Sequence, residues 1–442
     1  MCFGGVPPEI NRETDYSFRV RTTLRPLTSG RHKLSFAAIG PATLSLDGEE
    51  LVSLSGDMAT KGSLFFTYGT DETVLEMNFE GGKDYSLVVD YHSHDRQLDP
   101  ELLDLMSPGE AKFQGIRIGY GEHNTTDLPA EAAALAEGCD AAVVVVGRDR
   151  EWETEGQDIP IFELPGEQAR LIQMVASVCK RTIVLVQAGT PVQMQPWVHD
   201  VQAVLYVWYQ GQELGNAAAS VLVGKFNPSG RLPMTFPRKI SDCPGHSSFP
   251  GNDGVSRYLE TIHVGYRGFG GIDKPLYPIG FGLSYNTFSI SPEAPSQTEG
   301  TYVHDESIPP PLSQTEVRYA HAFTLPLYLP VRVRNTGGLA LAGRETLIAW
   351  ARALGHTGLT VWTAPIMPNE WICAFAKTKP LLPGEETITT LTLDPRSLGI
   401  WNEEIGSWIL HAGLYEIILR TNASNARHAL FVTVPETVTW LR

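Results

Sequence analysis

The segment Ala141-Ala142-Val143-Val144-Val145-Val146, closed by Gly147, constrains the fold more than any other stretch of the chain. A continuous run of small and β-branched apolar residues resists helix and suits a strand. Because the run does not alternate with polar residues, both of its faces are expected to be covered, as in a parallel sheet. It is strand length, far short of the ~20 apolar residues that span a bilayer, and no other run approaches that length, so no membrane partner is expected. Its surroundings carry a helical period. Ala132, Leu135 and Ala136 precede it; Pro165 opens a second helix with Leu171, Ile172, Val175 and Cys179 on one face. A strand over 182–187, another helical stretch, a strand over 203–209 and a helix over 213–223 complete the pattern. Alternating strand and helix means a parallel sheet with right-handed connections. With only about three parallel strands visible, residues 129–243 are expected to form a partial α/β sandwich domain.

Both flanks have period two instead. Over residues 16–120, Phe18, Val20, Thr22 and Leu24 alternate with polar neighbours, as do Leu34 with Phe36 and Leu44 with Leu46. Asp47-Gly48 supplies the positive φ of a tight hairpin turn, and Leu51-Val52 resumes on its far side. Segments 85–91 and 116–120 add strands, so residues 1–122 are expected to be a β-sandwich whose first strand begins almost at Met1, leaving no room for an upstream partner. Alternation returns after residue 320 in Leu327, Leu329, Val331 and Val333, in Ile388, Leu391 and Leu393, and in Tyr415, Ile417 and Leu419. Turns at Asn335-Thr336-Gly337-Gly338 and Pro383-Gly384 separate about seven short strands, which predicts a fibronectin- or immunoglobulin-type sandwich over 316–442 with Trp401 and Trp408 in its core. Between them, residues 244–315 are rich in Gly, Pro, Ser and Tyr, an extended connection. Tyr266, Phe269, Tyr277, Phe281, Tyr285 and Phe288 are too many aromatics for a solvated tether, so the connection is expected to pack along its neighbours.

Charge narrows the partners. Lys+Arg 34 against Asp+Glu 50 leaves a net charge of −16 with no basic cluster, which disfavours nucleic acid. The five cysteines (Cys2, Cys139, Cys179, Cys243 and Cys373) are scattered, and His199, His246 and His263 show no pairing at metal spacing; neither a disulfide framework nor a metal site is indicated. The chain shows no signal-peptide pattern at its start, while the sequons at Asn124 and Asn422 would serve only a secreted protein, so localisation and oligomeric state stay open. P-loop, dinucleotide-binding, nucleophile-elbow and zincin motifs are all missing.

The chemistry concentrates in Gly147-Arg148-Asp149-Arg150-Glu151-Trp152-Glu153-Thr154-Glu155-Gly156-Gln157-Asp158. This loop follows the apolar strand, and ligands in open α/β sheets bind at the carboxyl ends of strands. Glu151, Glu153, Glu155 and Asp158 surround Trp152, whose ring could stack on a sugar. A carboxylic acid kept partly protonated by an apolar wall can protonate a leaving oxygen, as glycoside cleavage requires. Composition alone equally fits a solvated charged loop. Trp208 and Tyr209 could line a sugar pocket or simply be buried, and Asn227-Pro228-Ser229-Gly230 reads as a structural turn.

At these residues the sequence resembles family-three glycoside hydrolases of the β-glucosidase type. Trp152-Glu153-Thr154-Glu155-Gly156-Gln157-Asp158 with Leu164-Pro165-Gly166-Glu167-Gln168 looks like the family's acid/base loop and next helix. Gln187-Ala188-Gly189-Thr190-Pro191-Val192, Trp208-Tyr209-Gln210-Gly211-Gln212-Glu213-Leu214-Gly215-Asn216-Ala217 and Asn227-Pro228-Ser229-Gly230-Arg231-Leu232-Pro233 are similar to later segments of its α/β domain. Val264-Gly265-Tyr266-Arg267 and Pro278-Ile279-Gly280-Phe281-Gly282-Leu283-Ser284-Tyr285 resemble its connection into a fibronectin type III-like domain, echoed by Ala342-Gly343-Arg344 and Leu382-Pro383-Gly384-Glu385. The N-terminal sandwich resembles the protective-antigen-like insert of some members.

The resemblance implies a retaining β-glucosidase without cofactor, acting on terminal β-linked glucose of oligosaccharides or aryl glucosides. It implies Glu155 as general acid/base and a nucleophilic Asp on a preceding (β/α)₈ barrel; Trp152, Glu153 and Asp158 of the same loop are expected to bind the substrate. No Ser-Asp-Trp segment of the nucleophile type occurs here, so the chain resembles a C-terminal portion lacking that barrel. It departs from the pattern at Gln157, usually aromatic, and at Ile159, usually arginine, which removes one expected partner for nearby carboxylates. The other readings are a non-catalytic carbohydrate-binding module and an inactive truncated paralogue.

Overall fold

The computed structural model describes residues 16–55, 69–93, 115–122, 126–155, 158–269, 275–293, 320–322, 326–355, 367–420, 427–434 and 436–440. The expected strand near Met1, Cys2, the sequon asparagines Asn124 and Asn422, and Gly156 and Gln157 of the acidic loop lie outside them. The chain divides into two compact units, residues 1–140 with 148–161 and 174–179, and residues 141–147 with 162–173 and 180–442.

The first unit is built on two antiparallel sheets. Strands β1 (Ser17–Leu24), β2 (Gly30–Ile39), β3 (Ala42–Leu46), β4 (Glu49–Leu54), β5 (Thr73–Phe79), β6 (Tyr85–His92) and β7 (Gly115–Gly121) are arranged β1-β6-β3-β4 and β5-β2-β7. Leu34, Phe36 and Ala38 of β2 share one buried cluster with Leu44 of β3 and Leu87, Val89 and Tyr91 of β6. Each such large side chain contributes about 1.5–3 kcal/mol of burial. The Tyr91 hydroxyl donates to the Ile39 carbonyl at 2.6 Å, tying the sheets together. Asp47 (φ +51°) and Gly48 (φ +88°) form the turn their residue types predict. The alternation in β1 is weaker in effect than in sequence: β1 is an edge strand, and Val20 is 39% exposed. Helix α1 (Leu128–Ala136) starts where Asp127 caps the Ala130 amide at 3.1 Å and turns Ala133 and Ala136 inward.

The second unit opens with β8 (Ala142–Gly147), β9 (Thr182–Gln187), β10 (Ala203–Tyr206) and α3 (Leu214–Leu222), and it holds the first part of α2 (Gln168–Val178), whose residues from Met174 onward belong to the first unit. The three strands form a parallel sheet in the order β10-β9-β8. Three expectations are corrected. Helix α2 begins at Gln168 rather than Pro165, because Gly166 (φ +60°) breaks the helical path between them. The stretch between β9 and β10 forms turns rather than a helix. The apolar run is covered on one face only: Val144 and Val146 are 7% and 5% exposed, but Val143 and Val145 are 50% and 64% exposed.

The rest of this unit is a second sandwich. Strands β11 (Phe288–Pro292), β12 (Ala320–Ala322), β13 (Leu327–Asn335), β14 (Thr346–Gly355), β15 (Trp371–Lys377) and β16 (Glu386–Leu393) are followed by the short helix α4 (Pro395–Leu398). Strands β17 (Ile400–Asn402), β18 (Ser407–Leu410), β19 (Gly413–Arg420), β20 (Arg427–Val434) and β21 (Val438–Trp440) complete the chain. Sheets β11-β13-β16 and β12-β20-β19-β14-β15 enclose Leu329, Val331, Leu347, Leu391, Ile417 and Val432. Trp401 and Trp408 are only half-buried, opposite one another in the separate sheet β17-β18-β21.

The connection packs as its aromatics predict. Phe236 bridges to Tyr277, and the Tyr266 hydroxyl accepts from the Ile372 amide at 3.1 Å while its ring meets Trp350 edge-on. The turn after α3 is welded to the sandwich by polar groups. Asn227 Oδ1 accepts from the Ser284 hydroxyl (2.9 Å) and the Tyr285 amide (2.8 Å). Arg231 pairs with Glu345 at 2.8 Å, their side chains only 8% and 10% exposed. Lys377 donates to the Ser229 carbonyl at 2.7 Å. Burial, then the Arg231 and Arg344 charges, lower the Lys377 ammonium from its ordinary value against the pull of Glu345.

Candidate active site

The carboxyl end of β8 is fixed by a close fit. A Cβ on Gly147 would lie 1.9 Å from the Gln187 carbonyl oxygen, so only glycine lets these two strand ends approach. The Gln168 side chain grips the same residue from both sides: its Oε1 accepts from the Gly147 amide at 2.7 Å and its Nε2 donates to the Gly147 carbonyl at 3.0 Å. The backbone of Gly147 at the end of β8 is therefore held by the first residue of α2. The one sequence signal for this role is a side-chain amide at the start of a helix, Gln168.

The loop itself is organised by arginines. The Trp152 and Glu153 amides donate to the Asp149 carbonyl at 3.1 and 3.0 Å, and the Asp149 carboxylate accepts from the Glu151 amide at 2.9 Å, closing a tight turn. Arg148, its side chain 1% exposed, lies 3.4 Å from Glu153, itself 9% exposed, and donates to the Ile161 carbonyl at 2.8 Å. Arg117 of β7 reaches Glu151 at 2.8 Å and Glu72 at 3.7 Å. A carboxylate held by guanidinium acts as an acceptor in that pair rather than as a free proton donor. Arg148, at the start of the loop, is the cation that meets Glu153.

Of the predicted site residues, the structure gathers Glu153 into the buried pair and leaves Trp152 half-buried. Glu155 and Asp158 are exposed. Among the described residues no cluster of His, Cys, Asp and Glu has the size to hold a metal ion. In the other unit, Trp208 lies beyond the end of β10 with φ +57°, a left-handed conformation that a bulky residue adopts only under constraint. Its ring packs 4.8 Å from Tyr206 and 6.2 Å from Phe236, and the Tyr206 hydroxyl donates to the Thr190 carbonyl at 2.5 Å. This aromatic group lies at the carboxyl edge of the parallel sheet, where α/β proteins place ligands.

Comparison with known proteins decides the family. Residues 22–285 match the glycosyl hydrolase family 3 C-terminal domain. The chain belongs to glycosyl hydrolase family 3. Residues 363–423 match the fibronectin type III-like domain. A beta-glucosidase of Rhizobium radiobacter is 34% identical over 426 residues, which is 95% of this chain and 47% of that protein. Beta-glucosidase B of Emericella nidulans is 34% identical over 93% of this chain and 45% of its own length. The crystal structure of a Kluyveromyces marxianus beta-glucosidase in complex with glucose superposes with a TM-score of 0.78 at 27% identity, covering 98% of this chain and 46% of that one. This family 3 chain spans about half the length of the relatives it matches.

Proposed function

We propose that this chain carries the acid/base half of a retaining β-glucosidase that releases terminal glucose from oligosaccharides or aryl glucosides, with Glu155 as the acid/base and the nucleophile supplied from outside these residues. One observation carries the assignment. Arg117 holds Glu151 and the buried Arg148 holds Glu153, so of the three loop glutamates Glu155, which is exposed, is the one with no ion-pair partner among the described residues to compete with a substrate. The names of the relatives support the sugar. In this reading Glu155 protonates the departing glycosidic oxygen while the external carboxylate attacks the anomeric carbon. It then takes the proton of the water that frees the glucose. Trp152 supplies an apolar wall; Glu153 and Asp158 are acceptors for sugar hydroxyls. In this reading residues 1–122 are a partial sandwich resembling the protective-antigen-like insert. The α/β domain runs over 129–243, the connection over 244–315 and the last domain over 316–442.

The test is hydrolysis by this chain joined to the remaining half of the Rhizobium radiobacter relative. Glu155→Gln is expected to cut turnover of alkyl glucosides by about 10²–10⁴-fold and that of activated aryl glucosides far less, because only the former need a proton donor. Equal loss at Glu153→Gln with Glu155→Gln silent reverses the assignment.

A further inference from the structure

We infer that Arg117 of β7 is a positioning residue for the acid/base loop: seated against Glu72, it pins Glu151, so that the N-terminal sandwich fixes where the loop presents Trp152 and Glu155. The inference deepens the function proposed above and rests on its assignment of Glu155.

The pin is built from the sheet outward. Arg117 and Gly119 point to the same face of β7, and the register sets Gly119 beside Ser35 and Arg117 beside Ala37 of β2. The Ser35 hydroxyl, on a residue 9% exposed, donates to Glu72 Oε1 at 2.7 Å. A Cβ on Gly119 would stand 2.3 Å from that hydroxyl oxygen and 3.6 Å from Glu72 Oε1, so glycine at this position leaves the room in which the Ser35–Glu72 bond forms. Glu72 in turn lies 3.7 Å from Arg117 Nε, and Arg117 Nη2 reaches Glu151 at 2.8 Å. Ser35, Glu72, Arg117 and Glu151 thus form one chain of polar contacts from the middle strand of the β5-β2-β7 sheet to the loop, all within the first compact unit.

An isolated surface ion pair contributes little, because two long side chains must be ordered to make it. Here the ordering is shared. Ser35 holds Glu72, and Arg117 lies between two carboxylates. Removing the guanidinium does more than lose an attraction, since it leaves those two carboxylates on either side of a site without its cation, and like charges repel. The place of the pin along the loop gives it a task. The turn on Asp149 and the pair of Arg148 with Glu153 are internal to the loop and move with it. Arg117 comes from another element, so its contact refers the loop to a sheet that does not move with it. Trp152 follows the pinned residue directly and Glu155 lies a few positions on, so a shift at Glu151 is passed to both. A reacting group misplaced by about 1 Å loses about 10²-fold in rate.

Two readouts test the pin. In the 442-residue chain alone, hydrogen exchange with mass spectrometry follows the amides of Glu151, Trp152 and Glu153, which bond to Asp149. Arg117→Ala and, from the loop side, Glu151→Gln are each expected to speed that exchange by at least about tenfold. Arg117→Glu with Glu151→Arg keeps one cation and two carboxylates in the trio and is expected to bring exchange back to within about threefold of wild type. Arg31→Ala breaks the 2.8 Å pair with Glu76 on the same sheet and is expected to leave the loop unchanged. In the chain joined to the remaining half of the Rhizobium radiobacter relative, Arg117→Ala is expected to lower kcat for alkyl glucosides by about 10–10²-fold with KM little changed, and the swapped pair to restore it. Loop exchange indifferent to Arg117→Ala or to Glu151→Gln, a loosening that the swapped pair does not reverse, an equal loosening by Arg31→Ala, or an unchanged kcat in a loosened loop each overturns the inference. A loop that loosens and recovers as described, in a joined enzyme whose native sequence hydrolyses no glucoside, leaves the pin standing and refutes the proposed activity instead.

Discussion

The ion pair between Arg231 and Glu345 joins the turn after α3 to the last sandwich, and it is buried enough for its loss to be measured. Glu345→Ala leaves the Arg231 guanidinium at 8% exposure with its own neighbour's carbonyl, Gly230, at 3.0 Å and no counter-charge. It also removes the acceptor of the Thr346 amide at 2.8 Å. Breaking a buried pair by deleting one partner costs about 3–5 kcal/mol, most of it the uncompensated charge that remains. The exposed pair Arg170 and Glu167, at 42% and 66% exposure, is the internal control. Glu167→Ala is expected to cost less than about 1 kcal/mol. Replacing both members by apolar residues, Arg231→Met with Glu345→Leu, removes the stranded charge and is expected to restore stability to within about 1–2 kcal/mol of wild type. Urea unfolding of the full chain, followed by tryptophan fluorescence, measures all three. A Glu345→Ala chain as stable as the Glu167→Ala control, or a double variant as damaged as the single one, would refute the argument that desolvated charge makes this junction.

Three further outcomes are expected. Gly147→Ala pushes a methyl to within 1.9 Å of the Gln187 carbonyl and is expected to destabilise the α/β sheet by about 1–3 kcal/mol or more in the same urea assay. Burial opposes ionisation of Glu370, but hydrogen bonds from Arg420 and Arg352 outweigh it and hold the carboxyl below its usual range. A lowered folded-state value means stability that is present above the unfolded glutamate value of about 4.3 and lost as pH falls through the folded one, so Glu370→Gln is expected to flatten the acid limb of thermal melting. Burial pushes the Cys373 thiol up to about 12, whereas Cys139 is exposed. At pH 8 a thiol reagent followed by mass spectrometry is expected to label Cys139 in the native chain and Cys373 only after unfolding.

Much of this architecture is written in short-range patterns. Leu34 and Phe36, or Leu329, Val331 and Val333, alternate because one face of each strand is buried, and Asp47-Gly48 adopts the turn its φ angles permit. The parallel strands were legible for the same local reason. Three other features were not legible, because their causes lie far away in the chain. Val143 and Val145 look like core residues, but hydrophobicity does not report whether a residue is covered, and both are exposed. Trp208 has an ordinary sequence context and a constrained backbone. Glu153 and Glu155 are chemically identical in the sequence; only the burial of Arg148 beside one of them separates an anchored acceptor from an exposed acid.

The Gln168 clamp on Gly147 has an evolutionary consequence. Its hydrogen bonds go to backbone atoms, which every substitution in the following loop preserves, so the anchor at Gly147 is insulated from the loop's own composition. Drift at positions such as Gln157 and Ile159 can then alter what the loop presents without altering where it starts. A scaffold arranged in this way can vary its loop one residue at a time while its anchor stays constant.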